Sequence, residues 1–295
     1  MESISDIFNA LSPNPCNPFF LPANASSTIE HIKPIPFPIQ SDSQASLNLP
    51  WYSYLSALNS AISSHWFTAV KTSIESYSKG DQQFPADYLK AVRLYSLLDV
   101  VSPSQILELG SGTSSAIISS FTSDAQHECD SITIDASQEW LNTTQSKIQN
   151  ISKCKNHSFF ASRNSKEIEE LLTSWIKNDS TLFIFLDAKI IANDPFQGLG
   201  LITNISDILP DKFIILIDSR QGAVKNLHHL ANQLNKGLAV QTSFNHLATD
   251  LKVKLSDITS GAFKSGALGT NISIRTFAAM TATTIVATRE LLKSR

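Results

Sequence analysis

The chain has 295 residues, of which 42% are hydrophobic and 17% are charged, and its formal net charge at pH 7 is −3. This composition is typical of a globular protein, and the lack of a positive excess argues against nucleic acid as a partner. No apolar run is long enough to span a bilayer, so no membrane partner is predicted. The first residues lack the features of a signal peptide and the three cysteines are unclustered, which predicts a cytoplasmic protein with free thiols.

The first fifty residues differ from the rest because they contain eight of the twelve prolines. Proline fixes its own backbone torsion and restricts the residue before it, so beyond a short helix near residues 3–11 no regular helix or sheet is expected. Apolar residues such as Phe19, Leu21 and Ile35 argue against a disordered tail. We interpret this segment as an extended arm that packs onto the main body, and its role at a substrate site is left open.

Two helices are predicted after the arm. Apolar residues at three- and four-residue spacing indicate a helix over 51–77, with a break near Ser63, and a second helix over 87–100. Pro103 then prevents further helix. We divide the chain into a Pro-rich and helical N-terminal extension, residues 1–85, and an α/β domain, residues 86–295.

From Ser104 onward, predicted strands and helices alternate, with helices at 165–176, near 198–208 and near 223–235. Seven strands are predicted, at 105–109, 131–135, 157–161, 181–187, 212–218, 237–243 and 281–288. Continuous apolar strands and this alternation indicate an α/β fold with a doubly wound, mostly parallel seven-stranded sheet. Ligands of such sheets bind at the carboxyl ends of the strands. Four acidic residues lie near those ends, namely Glu108, Asp135, Asp187 and Asp218.

The first of these strands leads into a glycine turn, Gly110-Ser-Gly112, and then a helix. Glycine allows a ligand to approach the backbone closely, and the first amides of a helix are free to bind it. A dinucleotide fingerprint needs a third glycine, where this chain has Ser115. Glu108, two places before the turn, suits a ligand with a positive group. An ordinary strand-turn-helix connection is the alternative.

The second strand ends in Asp135, at the distance from the glycine turn where an acidic residue contacts ribose hydroxyls. A carboxylate accepts hydrogen bonds from two adjacent hydroxyls. The alternative is an aspartate that caps the following helix. Both roles can hold together, because one carboxylate has several lone pairs.

The segments ELGSGTS (108–114) and IDASQEWL (134–141) resemble the first two motifs of class I S-adenosylmethionine-dependent methyltransferases. The resemblance implies a Rossmann-like methyltransferase fold over residues 86–295, closed by an antiparallel strand that TTIVATRE (283–290) resembles. It implies S-adenosylmethionine as the cofactor. The cofactor-binding residues would then be Glu108, Gly110, Ser111, Gly112, Thr113, Ser114, Asp135 and Ala136. We add Asn164, just after the third strand, as an acceptor for the adenine amino group.

Asp187 and Asp218 are the candidate catalytic residues, because a hydroxyl acceptor needs a general base near the methyl donor. His228 and His229 are further candidates. The two aspartates also resemble, more faintly, those of metal-dependent catechol and caffeoyl-CoA O-methyltransferases, which carry Asp-Ala-Asp-Lys and Asp-Asn. This chain has Asp187-Ala-Lys189 and Asp218-Ser219, and two aspartates alone make a poor site, so no metal is predicted.

These patterns predict S-adenosylmethionine-dependent methyl transfer to a small-molecule acceptor, with a hydroxyl as the methylated group. One alternative is a degenerate methyltransferase fold that binds a cofactor or a partner without catalysis. A nicotinamide oxidoreductase is disfavoured by Ser115 and by the lack of a Tyr-x-x-x-Lys pair. The identity of the acceptor and the oligomeric state stay open.

Overall fold

The computed structural model of the protein describes residues 4, 6–7, 18–32, 61–78, 85–123, 128–149, 156–218, 221–242 and 283–293. The described strands are β1 (Phe19–Leu21), β2 (Gln105–Leu109), β3 (Asp130–Asp135), β4 (His157–Ala161), β5 (Thr181–Leu186), β6 (Lys212–Asp218), β7 (Leu238–Thr242) and β8 (Thr283–Thr288). The described helices are α1 (His65–Ser78), α2 (Pro85–Val101), α3 (Thr113–Ser123), α4 (Gln138–Gln149), α5 (Ser165–Trp175), α6 (Leu199–Asn204), α7 (Gln221–Lys225), α8 (Leu227–Leu234) and α9 (Arg289–Lys293).

The strands form one sheet in the order β4-β3-β2-β5-β6-β8-β7-β1. Strands β2 to β6 pair in parallel, whereas β8 is antiparallel to both of its neighbours. The central strands β2 and β5 are buried on both faces, as a parallel sheet covered by helices requires. β5 is apolar after Thr181, whereas β2 also contains Gln105 and Glu108. The predicted doubly wound sheet is therefore confirmed, together with the antiparallel closing strand expected of a Rossmann-like methyltransferase fold.

The sheet has one strand more than the seven predicted, because the arm contributes β1. The expectation that residues 1–50 contain no strand is wrong for Phe19–Leu21, which pairs antiparallel with β7. Prolines at 18 and 22 flank this three-residue strand, and it lies at the edge of the sheet, where a missing amide donor is tolerated. Leu21, Ala25 and Ile32 are buried in the core, so the described part of the arm packs onto the main body as predicted.

Helices cover both faces of the sheet. On one face, α1, α2 and α3 contribute apolar side chains such as Val70, Leu97 and Ile117 to a core with β5 and β6. On the other face, α5, α6 and α8 pack against the alternate side chains of the same strands. Because successive strand residues point to opposite faces, one apolar strand serves both layers.

The helices differ from their predicted bounds in three places. Helix α1 starts after a bend at Ser64, close to the predicted break, and the part of the predicted helix before residue 61 lies outside the described residues. The helix predicted near 198–208 ends at Asn204 and continues as a 3-10 turn, Ser206–Ile208. The helix predicted near 223–235 is split into α7 and α8. The division of the chain at residue 86 stays a prediction.

The carboxyl ends of the central strands meet at one edge of the sheet. Leu109 O, at the end of β2, accepts hydrogen bonds from Asp187 N and Ala188 N at 3.0 and 2.8 Å. On the other side of β2, Gly110 N donates to Ile134 O at 2.8 Å. The ends of β2, β3 and β5 are thus held together. In the ranges that the structure describes, no helix is long and apolar enough to cross a membrane.

Candidate active site

The glycine turn joins β2 to α3 and contacts the end of β5. Gly110 has a φ of 100°, and a β-carbon placed on it would lie 2.4 Å from the β-carbon of Ala188. Both observations require glycine at this position. Gly112 is different, since a β-carbon there would meet no atom within 4 Å. The space beside Gly112 is therefore available to a ligand.

Glu108 is fully buried behind this turn and accepts hydrogen bonds from three hydroxyl groups. Ser114 Oγ, Ser115 Oγ and Thr133 Oγ1 lie 2.5, 2.6 and 2.5 Å from its carboxylate oxygens. Burial raises the pKa of Glu108 to about 7, although the three hydroxyl groups lower it. Glu108 therefore ties the first turn of α3 to β3, and the structure places it under the glycine turn without exposing it.

Ser115, at the position of the absent third glycine, has a structural role that the sequence did not reveal. Its hydroxyl donates to Glu108 and accepts a hydrogen bond from Gly112 N at 3.0 Å. This contact holds the second glycine against the start of α3. A glycine could not supply this bridge, because it has no hydroxyl.

The hydrogen bonds of Glu108 continue through Thr133 to a buried histidine. Thr133 Oγ1 lies 2.7 Å from His157 Nε2, and Ser119 Oγ bonds His157 Nδ1. Burial lowers the pKa of His157 to about 3, so its imidazole is neutral near pH 7. If Thr133 donates to Glu108, His157 must carry its proton on Nε2 and accept from Ser119 at Nδ1. No local sequence pattern indicates this network, because it depends on the register of β2, β3 and β4.

Asp135, at the end of β3, is almost completely buried and contacts the glycine turn. Its Oδ2 accepts from Ser111 N and Ser111 Oγ at 2.8 and 2.7 Å, and its Oδ1 accepts from Ser137 N at 2.8 Å. An ionised carboxylate has about four acceptor sites, so Oδ1 retains capacity for another donor. Beside it, Trp140 is 52% exposed and its indole nitrogen donates to Ser111 O at 2.8 Å.

The remaining residues predicted for the cofactor lie at the rim of this region. Ala136 O accepts a hydrogen bond from Arg163 Nε at 2.8 Å. Asn164, the next residue, is exposed and caps α5 by accepting from Lys166 N at 3.1 Å. Asn164 thus directly follows Arg163, the residue that contacts Ala136. The side-chain oxygen of Asn164 is engaged in the helix cap.

A cavity of about 180 Å³ lies between α2, the glycine turn and the strand ends. Its polar lining consists of Lys90 from α2, Thr113 and Ser114 from the turn, and Asp187 and Asp218 from the ends of β5 and β6. Ala91, Leu94, Ile117 and Phe185 form its apolar wall. The structure therefore brings both predicted catalytic aspartates together with two of the predicted cofactor residues around one cavity.

Two cations from α2 lie close to Asp218. Lys90 Nζ is 2.6 Å from Asp218 Oδ2, and the side chains of Lys90 and Asp218 are 30% and 8% exposed. Arg93, one turn further along α2, is fully buried and donates to Thr283 Oγ1. Burial lowers the pKa of Arg93 to about 10, while the charge of Asp218 raises it. The sequence did not single out either cation, because the apolar pattern of this helix predicts core packing.

The two candidate histidines lie elsewhere. The side chain of His228 lies 3.2 Å from Thr28 Oγ1 in the arm, and the ring of His229 packs against Phe196 at an interplanar angle of 41°. Neither residue lines the cavity. Within the described ranges, no three side chains of His, Cys, Asp or Glu are grouped so that they could hold a metal ion. Ser219, which follows Asp218, lies outside the described residues.

No protein-family model and no curated protein matches the sequence. Among 78 matching chains of solved structures is the Podospora anserina methyltransferase PaMTH1 with bound SAH, at 14% identity and a TM-score of 0.42. That match covers 73% of this chain and 86% of the other. An O-methyltransferase from Bacillus cereus in complex with SAH has 13% identity and a TM-score of 0.38, with coverages of 56% and 75%.

The O-methyltransferase TomG from Streptomyces achromogenes, crystallised with SAM, also has 13% identity and a TM-score of 0.38. The match covers 51% of this chain and 64% of TomG, slightly less than two thirds of that protein. Identities and TM-scores this low assign no function to this chain.

Proposed function

We propose that this protein binds S-adenosylmethionine over the glycine turn and transfers its methyl group to a hydroxyl of a small molecule. The observation that supports the proposal is a cavity at the carboxyl edge of the sheet. Thr113 and Ser114 line it together with Asp187 and Asp218. A doubly wound sheet places its ligand at this edge.

The residues fit this cofactor in three respects. The space beside Gly112 is open, and α3, a helix of 11 residues, begins directly after the turn. Asp135 Oδ1 retains capacity to accept a hydrogen bond from a ribose hydroxyl. The charged lining of the cavity consists of two aspartates and one lysine, and its excess negative charge suits the positive charges of the methionine part. When bound, S-adenosylmethionine supplies a methyl group activated by a positively charged sulfur.

The chain's own residues would then orient the acceptor and remove its proton. The apolar wall formed by Leu94, Ile117 and Phe185 excludes water and packs against the body of a small acceptor. Asp187 follows β5 at the cavity and is the candidate that accepts the hydroxyl proton. Ser111, bonded to Asp135, holds the turn next to β3.

The first test is calorimetric titration with S-adenosylmethionine, S-adenosylhomocysteine and NADH. We expect the two sulfur ligands to bind and NADH not to bind. Asp135→Asn should weaken S-adenosylhomocysteine about 10-fold or more, because a buried acceptor of hydroxyl groups is lost. Asp130→Asn is the matched control, since Asp130 starts the same strand, is half-exposed and pairs with Lys177. Equal affinity in both variants would contradict the placement of the ribose.

A second candidate function is a protein that binds the cofactor without catalysis. It is favoured by the extent to which the motif acids are already satisfied, since Glu108 accepts three hydroxyl donors and Asp135 accepts three hydrogen bonds. Radiolabelled methyl transfer to a panel of small phenols and alcohols distinguishes the two. Cofactor binding without transfer to any of them would favour the second candidate. Binding of NADH instead would favour an oxidoreductase.

A further inference from the structure

We propose that Lys90 is a catalytic residue that binds the acceptor oxygen and stabilises its developing negative charge, so that the acceptor is a phenol or an enol. The inference rests on the proposed function and adds a substrate class and a catalytic group from outside the methyltransferase motifs. It starts from the position of Lys90 on α2, which lines the same cavity as Thr113 and Ser114.

A purely structural role for Lys90 would be the neutralisation of Asp218. Lys90 shares that role, because the guanidinium of the buried Arg93 also interacts with the charge of Asp218. The two cations differ in access to the cavity. Lys90 lines it and keeps 30% of its side chain exposed, whereas Arg93 is fully buried. Lys90 is therefore the cation that a bound acceptor can reach.

The ammonium group of Lys90 has donors to spare. It carries three N–H donors, and its 2.6 Å contact with Asp218 uses one of them. That contact also holds the long side chain at the carboxyl edge of the sheet, so less conformational entropy is lost when an acceptor binds. A fixed positive donor beside a reacting oxygen is the arrangement that stabilises charge as it develops.

The reaction balances as follows. The acceptor oxygen forms a bond to the methyl carbon, and the methyl–sulfur bond breaks with its electron pair remaining on sulfur. The hydroxyl proton passes to Asp187 and from there to water. A carboxylate is a weak base, so it removes this proton efficiently only when the hydroxyl is acidic, and a neighbouring ammonium makes the hydroxyl more acidic. This combination selects phenolic and enolic acceptors over simple alcohols.

The test uses para-nitrophenol, whose ionised form absorbs visible light, added to the full chain saturated with S-adenosylhomocysteine. Wild-type protein should shift the probe toward its phenolate at a pH where free probe is mostly neutral. Lys90→Gln keeps a donor for Asp218 but removes the charge, and it should abolish the shift. Lys90→Arg keeps the charge and should retain the shift. Lys71→Gln changes an exposed lysine on α1 and is the matched control.

A second readout covers binding and turnover. S-adenosylhomocysteine affinity should change less than about 3-fold in Lys90→Gln, while methyl transfer to a phenol should fall about 100-fold in kcat, the usual loss of one charge-stabilising donor. A phenolate shift that persists in Lys90→Gln, or is absent from the wild-type protein that binds S-adenosylhomocysteine, would overturn this inference alone. Failure of the wild-type protein to bind S-adenosylhomocysteine would refute the proposed function and this inference with it.

Discussion

Replacing Glu108 with glutamine should remove a pH dependence of stability that comes from one buried carboxylate. Two of its hydroxyl partners, Ser115 and Thr133, donate to Oε2 of Glu108. Each has a second contact, since Gly112 N donates to Ser115 Oγ and His157 Nε2 lies 2.7 Å from Thr133 Oγ1. A proton on neutral Glu108 must then reside on Oε1, facing Ser114, whose hydroxyl can turn to accept it. A glutamine amide reproduces this neutral pattern, with its oxygen at Oε2 and its NH2 toward Ser114.

The magnitude follows from the pKa of Glu108, which burial raises from its ordinary value of 4.5 to about 7. The folded state binds the proton more tightly than the unfolded state, so stability is highest below about pH 4.5 and falls as pH rises to about 7. The contribution of neutral Glu108 to the free energy of unfolding falls by about 3 kcal/mol over the whole titration. About 2 kcal/mol of this should be lost between about pH 5.5 and about pH 8. Glutamine cannot ionise, so the variant should gain this amount relative to wild type.

The assay is urea unfolding of wild type and Glu108→Gln at a series of pH values, with the difference in unfolding free energy plotted against pH. The comparison isolates Glu108, because His157 and the other titrating groups are present in both proteins. Glu108→Ala is the contrasting variant, since it leaves three hydroxyls without their acceptor and should be destabilised at every pH. A difference between wild type and Glu108→Gln that does not change with pH would refute the reasoning.

Two further predictions concern the glycine turn and the buried histidine. Gly110→Ala should destabilise the protein by at least about 2 kcal/mol, because of its positive φ and the contact with Ala188, whereas Gly112→Ala should leave unfolding nearly unchanged but weaken S-adenosylhomocysteine binding. Urea unfolding measures the stability of each variant, and calorimetry measures its affinity for S-adenosylhomocysteine. Equal loss of stability in both variants would contradict the different roles assigned to Gly110 and Gly112. Because burial lowers the pKa of His157 to about 3, the neutral ring should stabilise the fold less as pH falls below about 6.5. The NMR signal of His157, assigned by its loss in His157→Gln, should stay that of a neutral ring down to about pH 4. A titration of this signal near about pH 6.5 would contradict the burial of the ring.

The sequence alone was sufficient to predict seven of the eight described strands and to bring the strand-end acids to one edge of the sheet. Continuous apolar runs and the glycine turn are local signals, so the central strands agree with the structure to within one residue at each end. The strand-end acids could be grouped because parallel strands in a doubly wound sheet bring their carboxyl ends to one edge. Asp187 and Asp218 accordingly line one cavity, although they are far apart in the chain.

Other features depended on contacts between distant segments. Strand β1 is three residues between prolines, and only its pairing with β7 makes it a strand. The roles of Ser115, Thr133 and His157 around Glu108 follow from strand register, which no local pattern specifies.

Lys90 and Asp218 are 128 positions apart, and the contact between them required α2 to pack on the face of the sheet formed by β5 and β6. Helix α2 has a mostly apolar face, so its sequence determined that it would pack against the core. It did not determine which polar side chain at the edge of that face would reach the cavity. That choice depends on the rotation of the helix against β5 and β6, which is set by the packing of both layers together.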